Sequence, residues 1–223
     1  MNILAFDTAT EACSAALMFN GEVRERYQIA PRQHAQLILG MMDELLTEAG
    51  ITLAQLDALA FGRGPGSFIG VRIATGVAQG IAFAQDLPVV PVSTLAALAQ
   101  GVEQPRVLAA IDARMNEVYW AAYERDNLGI MRLLGEETLT PAELVVLPTG
   151  AQSSWFGAGT GWQEQGPHLA QHFPQITGYR ADVFPQARNV AILGESGLVQ
   201  GLGVTPEQAQ PVYLRDKVAN KPK

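Results

Sequence analysis

A strand–aspartate–turn–strand pattern occurs twice in this chain, and no other feature narrows its possible folds as far. Segment 4–17 reads LAFDTATEACSAAL and segment 108–123 reads LAAIDARMNEVYWAAY. Each is an apolar run ending in one aspartate, Asp7 or Asp112, then a short polar turn, then a second apolar run. Self-similarity at a spacing of about a hundred residues points to two related lobes rather than a stack of short repeats. A chance likeness of two hairpins is the competing explanation.

The rest of the chain extends the pattern. Strands are predicted at 2–7, 12–19 and 22–29, with Asn20-Gly21 as the hairpin turn. Pro31 opens a helix that Gly50 stops. A strand at 57–61 leads through a glycine loop into a helix at 67–85. A short strand follows Pro88, and Ser93 caps a helix to about 101. In the second half Gly129 turns the hairpin into a third strand through about 139, and a helical segment follows at 141–147. The expected fold is therefore α/β, with mixed sheets flanked by helices in two lobes, 1–102 and 103–223.

Composition bounds the chemistry. Apolar residues make up 48% of the 223 and charged residues 17%, enough for a sizeable core. The net charge is −7, but residues 215–223 hold four basic side chains against one acidic. That tail carries +3, so the remainder carries −10 and is a poor binder of a phosphate backbone without a basic partner. The single cysteine, Cys13, excludes an internal disulfide and any multi-cysteine metal site, and its apolar surroundings predict an inert buried thiol. The N-terminus lacks a basic and apolar leader pattern. The most apolar window, 67–85, carries Arg72, Thr75 and Gln79, so a cytoplasmic protein with no membrane span is expected.

The glycine loop FGRGPGSFIG invites a nucleotide reading that its details weaken. A phosphate loop of the G-x-x-x-x-G-K-[ST] type needs a lysine, and the first lysine here is Lys217. Gly62, Gly64 and Gly66 have the wrong spacing for a dinucleotide fingerprint. Gly62, Gly64, Pro65, Gly66 and Ser67 therefore read as a structural loop, Ser67 capping the next helix. His168 and His172 are four apart, but Pro167 and Pro174 leave barely one turn between them, so a surface segment is expected and not a metal site.

Two helices look built for contact. Along 67–85, Gly70, Ala74, Ala78 and Ala82 form one row of small residues, and Gly76, Gly80 and Ala84 form another. Such rows let a second backbone approach closely, and each interior glycine costs about 1 kcal/mol against alanine. In HAQLILGMMDELLTEAG, Ile38, Met42, Leu45 and Ala49 make one apolar face, with Leu37 and Met41 beside it. A face that wide meets either a broad core or a core and a partner together.

The two-lobed plan resembles the sugar kinase/actin superfamily, a duplicated ribonuclease H-like fold. There the two turns face each other across a cleft and hold nucleotide phosphates and a metal ion. The resemblance places a degenerate nucleotide set at Asp7, Thr8, Asp112, Gly159 and Gly161. Ala9 and Arg114 stand where the superfamily prefers glycine. Asp7 and Asp112 would either hold a hydrated Mg²⁺ or simply cap their turns.

GRGPGSFIGVR at 62–72, IDARMNEVYWAAY at 111–123, GTGW at 159–162 and PVYLR at 211–215 are similar in content and order to the TsaB (YeaZ) family. Ile69 departs from that family's usual threonine. The resemblance implies a non-catalytic paralogue of TsaD. The TsaD metal histidines would fall at Thr94 and Leu98, neither of which can ligate. It implies that TsaD, TsaE and the TsaC product threonylcarbamoyl-AMP complete a tRNA threonylcarbamoylation system. ATP and Mg²⁺ would be used by the partner subunits, and tRNA would be met only within the complex. It also implies pairing with TsaD, or homodimerisation, through His34–Ala49 and Ser67–Ala84. The residues expected there are His34, Leu37, Met41, Met42, Leu45, Gly70, Ile73, Ala74 and Val77. The alternative is an ATP-dependent enzyme working through Asp7 and Asp112.

Overall fold

The computed structural model describes residues 1–147 and 154–215, and the basic tail that follows lies outside them. Two five-stranded sheets carry the architecture. The first contains β1 (Ile3–Asp7), β2 (Ala12–Phe19), β3 (Glu22–Ile29), β4 (Ala58–Gly62) and β5 (Val89–Val92), in the order β3-β2-β1-β4-β5. The second contains β6 (Arg106–Asp112), β7 (Glu117–Arg125), β8 (Met131–Pro141), β9 (Trp155–Ala158) and β10 (Ile176–Arg180), in the order β10-β9-β6-β7-β8. Read from its β8 end, the second order matches the first strand for strand. In each, an antiparallel meander meets a parallel pair at its first strand. The duplication expected from the two hairpins is thus a property of the whole fold.

Local chemistry explains most element ends. Asn20 (φ 50°) and Gly21 (φ 79°) form the left-handed pair that a two-residue hairpin needs. Helix α1 (His34–Ala49) ends on Gly50 at φ 68°. Helix α2 (Phe68–Gln85) is capped by the Ser67 hydroxyl, and α3 (Thr94–Gln100) by the Ser93 hydroxyl. Three expectations change. Helix α1 starts at His34 rather than Pro31, because Arg32 lies at φ 67° and breaks the helical path. The helix expected at 141–147 is a single 3-10 turn, Ala142–Leu144. Helix α4 (Gly161–His172) runs through Pro167. Gly166 has no Cβ to clash with the proline ring, which relieves the usual restriction on the preceding residue.

Alternation along the central strands feeds two layers. Leu4, Phe6, Leu17, Leu59 and Phe61 face α1 and α2. Ile3, Ala5, Ala58 and Ala60 face the opposite way, onto α5 (Ala187–Val199). In the second sheet Val107, Ala109 and Ile111 meet α3, while Leu108 and Ala110 meet Trp162 and Leu169 of α4. The last α-helix of each half therefore packs on the other half's sheet. The first sheet also supplies the cap of α5: Ala187 donates its N–H to Ser14 Oγ at 2.9 Å, and Arg188 to Glu25 Oε1 at 3.0 Å. The sheets divide near residue 102, but the helices lace them together.

Candidate functional site

The β1–β2 and β6–β7 turns face each other across a cleft of about 960 Å³. The first lobe lines it with 9–11, 31, 32, 34 and 65–68, the second with 111–119 and the start of α4, and residues 212–215 close one side. Asp7 does not line it. Its side chain is buried, Oδ1 accepts the Ala9 N–H at 2.8 Å, and Oδ2 accepts the Thr94 hydroxyl at 3.4 Å. A Cβ on Gly62 would stand 1.9 Å from Oδ2, so β4 passes directly over the carboxyl. Burial pushes that carboxyl up from 3.8 to about 6, against the lowering effect of those two hydrogen bonds. Thr8 is also fully buried and donates to the Gly70 carbonyl at 2.7 Å.

The glycine loop packs against the first turn. Ser67 donates its N–H to the Ala9 carbonyl at 2.7 Å. A Cβ on Gly66 would lie 2.3 Å from that same oxygen, and one on Gly70 2.0 Å from the Thr8 carbonyl. The close approach that glycine allows here is made to this chain's own backbone. Across the cleft Asp112 is half exposed, caps its turn through the Arg114 N–H at 2.9 Å, and pairs with the Arg114 guanidinium at 3.1 Å. Arg114 also reaches Glu11 at 3.8 Å, spanning the two turns. Gly159 and Gly161 crowd against Ala110, at 2.3 Å from its carbonyl and 2.9 Å from its Cβ if either carried a Cβ. A hydrated Mg²⁺ needs an accessible carboxylate oxygen. Asp7 offers none to the cleft, and Asp112 is held by an arginine. This set does not fit the superfamily's metal-bound phosphate. Among the described residues no three His, Cys, Asp or Glu side chains gather as a metal-binding group.

The second turn has an unusual backbone. Arg114, Met115 and Asn116 lie at φ 64°, 58° and 60°, three successive left-handed residues without a glycine. Such residues cost about 1–2 kcal/mol each. Arg215 holds the turn from outside, donating to the Ala113 carbonyl at 2.9 Å and pairing with Glu117 at 2.7 Å. Behind the cleft, Arg63 of the glycine loop pairs with Glu137 of β8 at 3.7 Å, and Glu137 accepts the Tyr123 hydroxyl at 2.8 Å. Burial, with the Glu137 charge adding to it, pushes the Tyr123 phenol up. Sequence reasoning missed this lobe-to-lobe ion pair, because Glu137 sits in the polar run GEETLT, which reads as a solvated strand.

The helices also rearrange the expected contacts. His34, Met41, Met42, Leu45, Gly70 and Ala74 are buried within this chain, so they serve its core first. Leu37, Ile73 and Val77 are half-buried at its edge. Of the two small-residue rows, Gly70–Ala82 faces inward, whereas Cβ atoms on Gly76 and Gly80 would meet nothing within 4 Å. The open row is flanked by Ile69 and Phe83, 70% and 76% exposed, and α1 adds exposed Leu39. Cys13 is buried, which with the nearby Asp7 charge pushes its thiol up to about 11. No helix among the described residues is long and apolar enough to cross a membrane.

Known proteins resemble the chain over nearly its full length. A family model described as TsaD, tRNA N6-adenosine threonylcarbamoyltransferase, matches residues 27–223. The tRNA threonylcarbamoyladenosine biosynthesis protein TsaB of Escherichia coli K12 is 45% identical, covering 99% of this chain and 97% of its own. The protein of the same description from Haemophilus influenzae is 38% identical over 99% and 96%. The structure of YeaZ from Pseudomonas aeruginosa superposes with a TM-score of 0.88 at 49% identity, covering 96% of this chain and 99% of its own.

Proposed function

The chain belongs to the TsaB family of tRNA threonylcarbamoyladenosine biosynthesis proteins, and from that premise we propose that it is a non-catalytic subunit that supports TsaD. In this reading TsaD, with TsaE and threonylcarbamoyl-AMP made by TsaC, modifies the adenosine 3′ of the anticodon in tRNAs that read codons beginning with A. ATP and Mg²⁺ belong to the partner subunits, and the site of action is the cytoplasm. The observation that carries the reading is the withdrawal of Asp7 from the cleft. A phosphoryl-transfer site needs carboxylates facing the reacting group, and here one is in the core and the other is tied to Arg114. The acidic body supports contact with tRNA only through a more basic partner.

Helix α2 supports association. Ile69, Gly76 and Phe83 recur every seven residues, with Arg72 and Gly80 between them, along an exposed stripe of the helix. Bulky ends around two open glycines suit a second helix crossing at the middle. A scaffold of this kind activates TsaD by binding its active conformation more tightly than its resting one. Reconstituted threonylcarbamoylation with TsaD, TsaE and threonylcarbamoyl-AMP is expected to require this chain and to tolerate Asp112→Ala. Full activity without the chain overturns the activator role. ATP turnover by the chain alone, abolished by Asp112→Ala, would instead favour an enzyme.

A further inference from the structure

The C-terminal segment 204–215 touches four separate parts of the molecule. It begins by pairing Val204 with Val89 at the edge of the first sheet. The 3-10 turn Pro206–Gln208 then lies on α2, where Gln79 donates to the Ala209 carbonyl at 2.9 Å. Val212 donates its N–H to the Arg63 carbonyl at 2.8 Å, beside the glycine loop. The Tyr213 ring packs on Phe68 at 5.6 Å and its hydroxyl accepts from Arg72 Nε at 2.9 Å, while the Arg72 guanidinium lies 3.5 Å from the centre of the Phe68 ring. Two residues later Arg215 crosses to the second lobe and grips the Ala113 carbonyl and the Glu117 carboxylate.

We propose that residues 204–215 form a strap that couples the first turns of α2 to the left-handed turn of the cleft, with Arg215 as its positioning residue. Three left-handed residues persist only where their surroundings hold them. Within the turn, Ala113 donates to Glu117, Glu117 to Arg114, and Arg114 to Asp112. From outside, the planar guanidinium of Arg215 bridges both ends of that turn, which a single point charge does not do. The other end of the strap rests on Phe68 and Arg72, both exposed on α2. A body seated on that part of α2 displaces Tyr213, and the intervening single residue, Leu214, passes the displacement to Arg215. The turn relaxes when the grip is lost, and the cleft changes shape. That α2 meets TsaD rests on the function proposed above, whereas the strap is a property of this chain alone.

Amide hydrogen exchange on the isolated full chain tests it separately from that function. Arg215→Met is expected to speed exchange at Ala113, Arg114 and Glu117 by roughly tenfold, with the thermal midpoint and the exchange of β9 unchanged. Arg215→Lys restores part of the protection, since its ammonium reaches Glu117 without also bridging to Ala113. Arg72→Ala, at the far end of the strap, is expected to speed the same three amides by about threefold. Glu117→Gln removes the charged half of the grip from the turn's side, leaves the bond to Ala113, and reports even if Arg215→Met folds poorly. Unchanged exchange in both Arg215→Met and Glu117→Gln overturns the grip. Unchanged exchange in Arg72→Ala overturns the coupling to α2.

Discussion

Asp7 ends β1 with its carboxyl enclosed by Gly62, the Ala9 N–H and the Thr94 hydroxyl. Enclosure disfavours the charge, so the folded protein holds the proton up to about pH 6, against 3.8 for the ordinary group. A raised acid favours the fold while it is protonated, and that contribution is lost as pH rises through about 6. Measured against Asp7→Asn, the wild-type chain is expected to lose about 2 kcal/mol between pH 4 and pH 7. Urea unfolding of both proteins across that range checks it, and a difference that does not vary with pH sinks it. The aspartate at the end of the strand was legible in the sequence. Its burial was not, because Gly62 and Thr94 come from β4 and α3, the latter 87 positions away. Thr8 is similar: its partner is the Gly70 carbonyl.

Helix α2 shows where element-level reading succeeds and stops. Its start, its Ser67 cap and its two rows of small residues all follow from local sequence. Which row faces inward does not, since both rows repeat every four residues. The Thr8 carbonyl decides it, by coming within 2.0 Å of where a Cβ on Gly70 would stand. The two glycine types should therefore behave oppositely. Gly70→Ala is expected to destabilise the chain by about 3 kcal/mol, the upper part of the range for overpacking against atoms that cannot move aside. Gly80→Ala, facing open space, is expected to stabilise it by about 0.5–1 kcal/mol through its helix propensity. Denaturant midpoints of the two variants read this directly. Equal effects of the same sign would mean that the row assignment is wrong. At α1 the sequence showed a wide apolar face, and the structure spends Ile38, Met42 and Leu45 on the core.

The molecule as a whole is two copies of one sheet order laced together by α3 and α5. The copies were legible because both hairpins keep the same order of apolar run, aspartate, polar turn and apolar run. The lacing was not, because α5 takes its cap from Ser14 and Glu25, at the opposite end of the chain. The first sheet's core holds α1 and α2 in place, so they present a preformed face rather than one that must order on binding. Preformed faces lose less entropy on association. The open glycines of α2 then set how near another helix can come, within the 8–10 Å typical of packed helix axes. Gly76→Leu places a large side chain in that gap but in open space within the free chain, where no atom lies within 4 Å of the new Cβ. Its thermal stability should therefore not fall. If α2 meets TsaD as proposed, affinity for that partner should fall by about 100-fold, or roughly 2.7 kcal/mol. Calorimetric titration against TsaD measures the affinity, and sedimentation of the chain alone shows whether self-association uses the same face. Unaltered TsaD affinity in a folded Gly76→Leu protein would place the partner elsewhere, leaving Gly76 and Gly80 as uncompensated costs to helix stability with no contact to explain them.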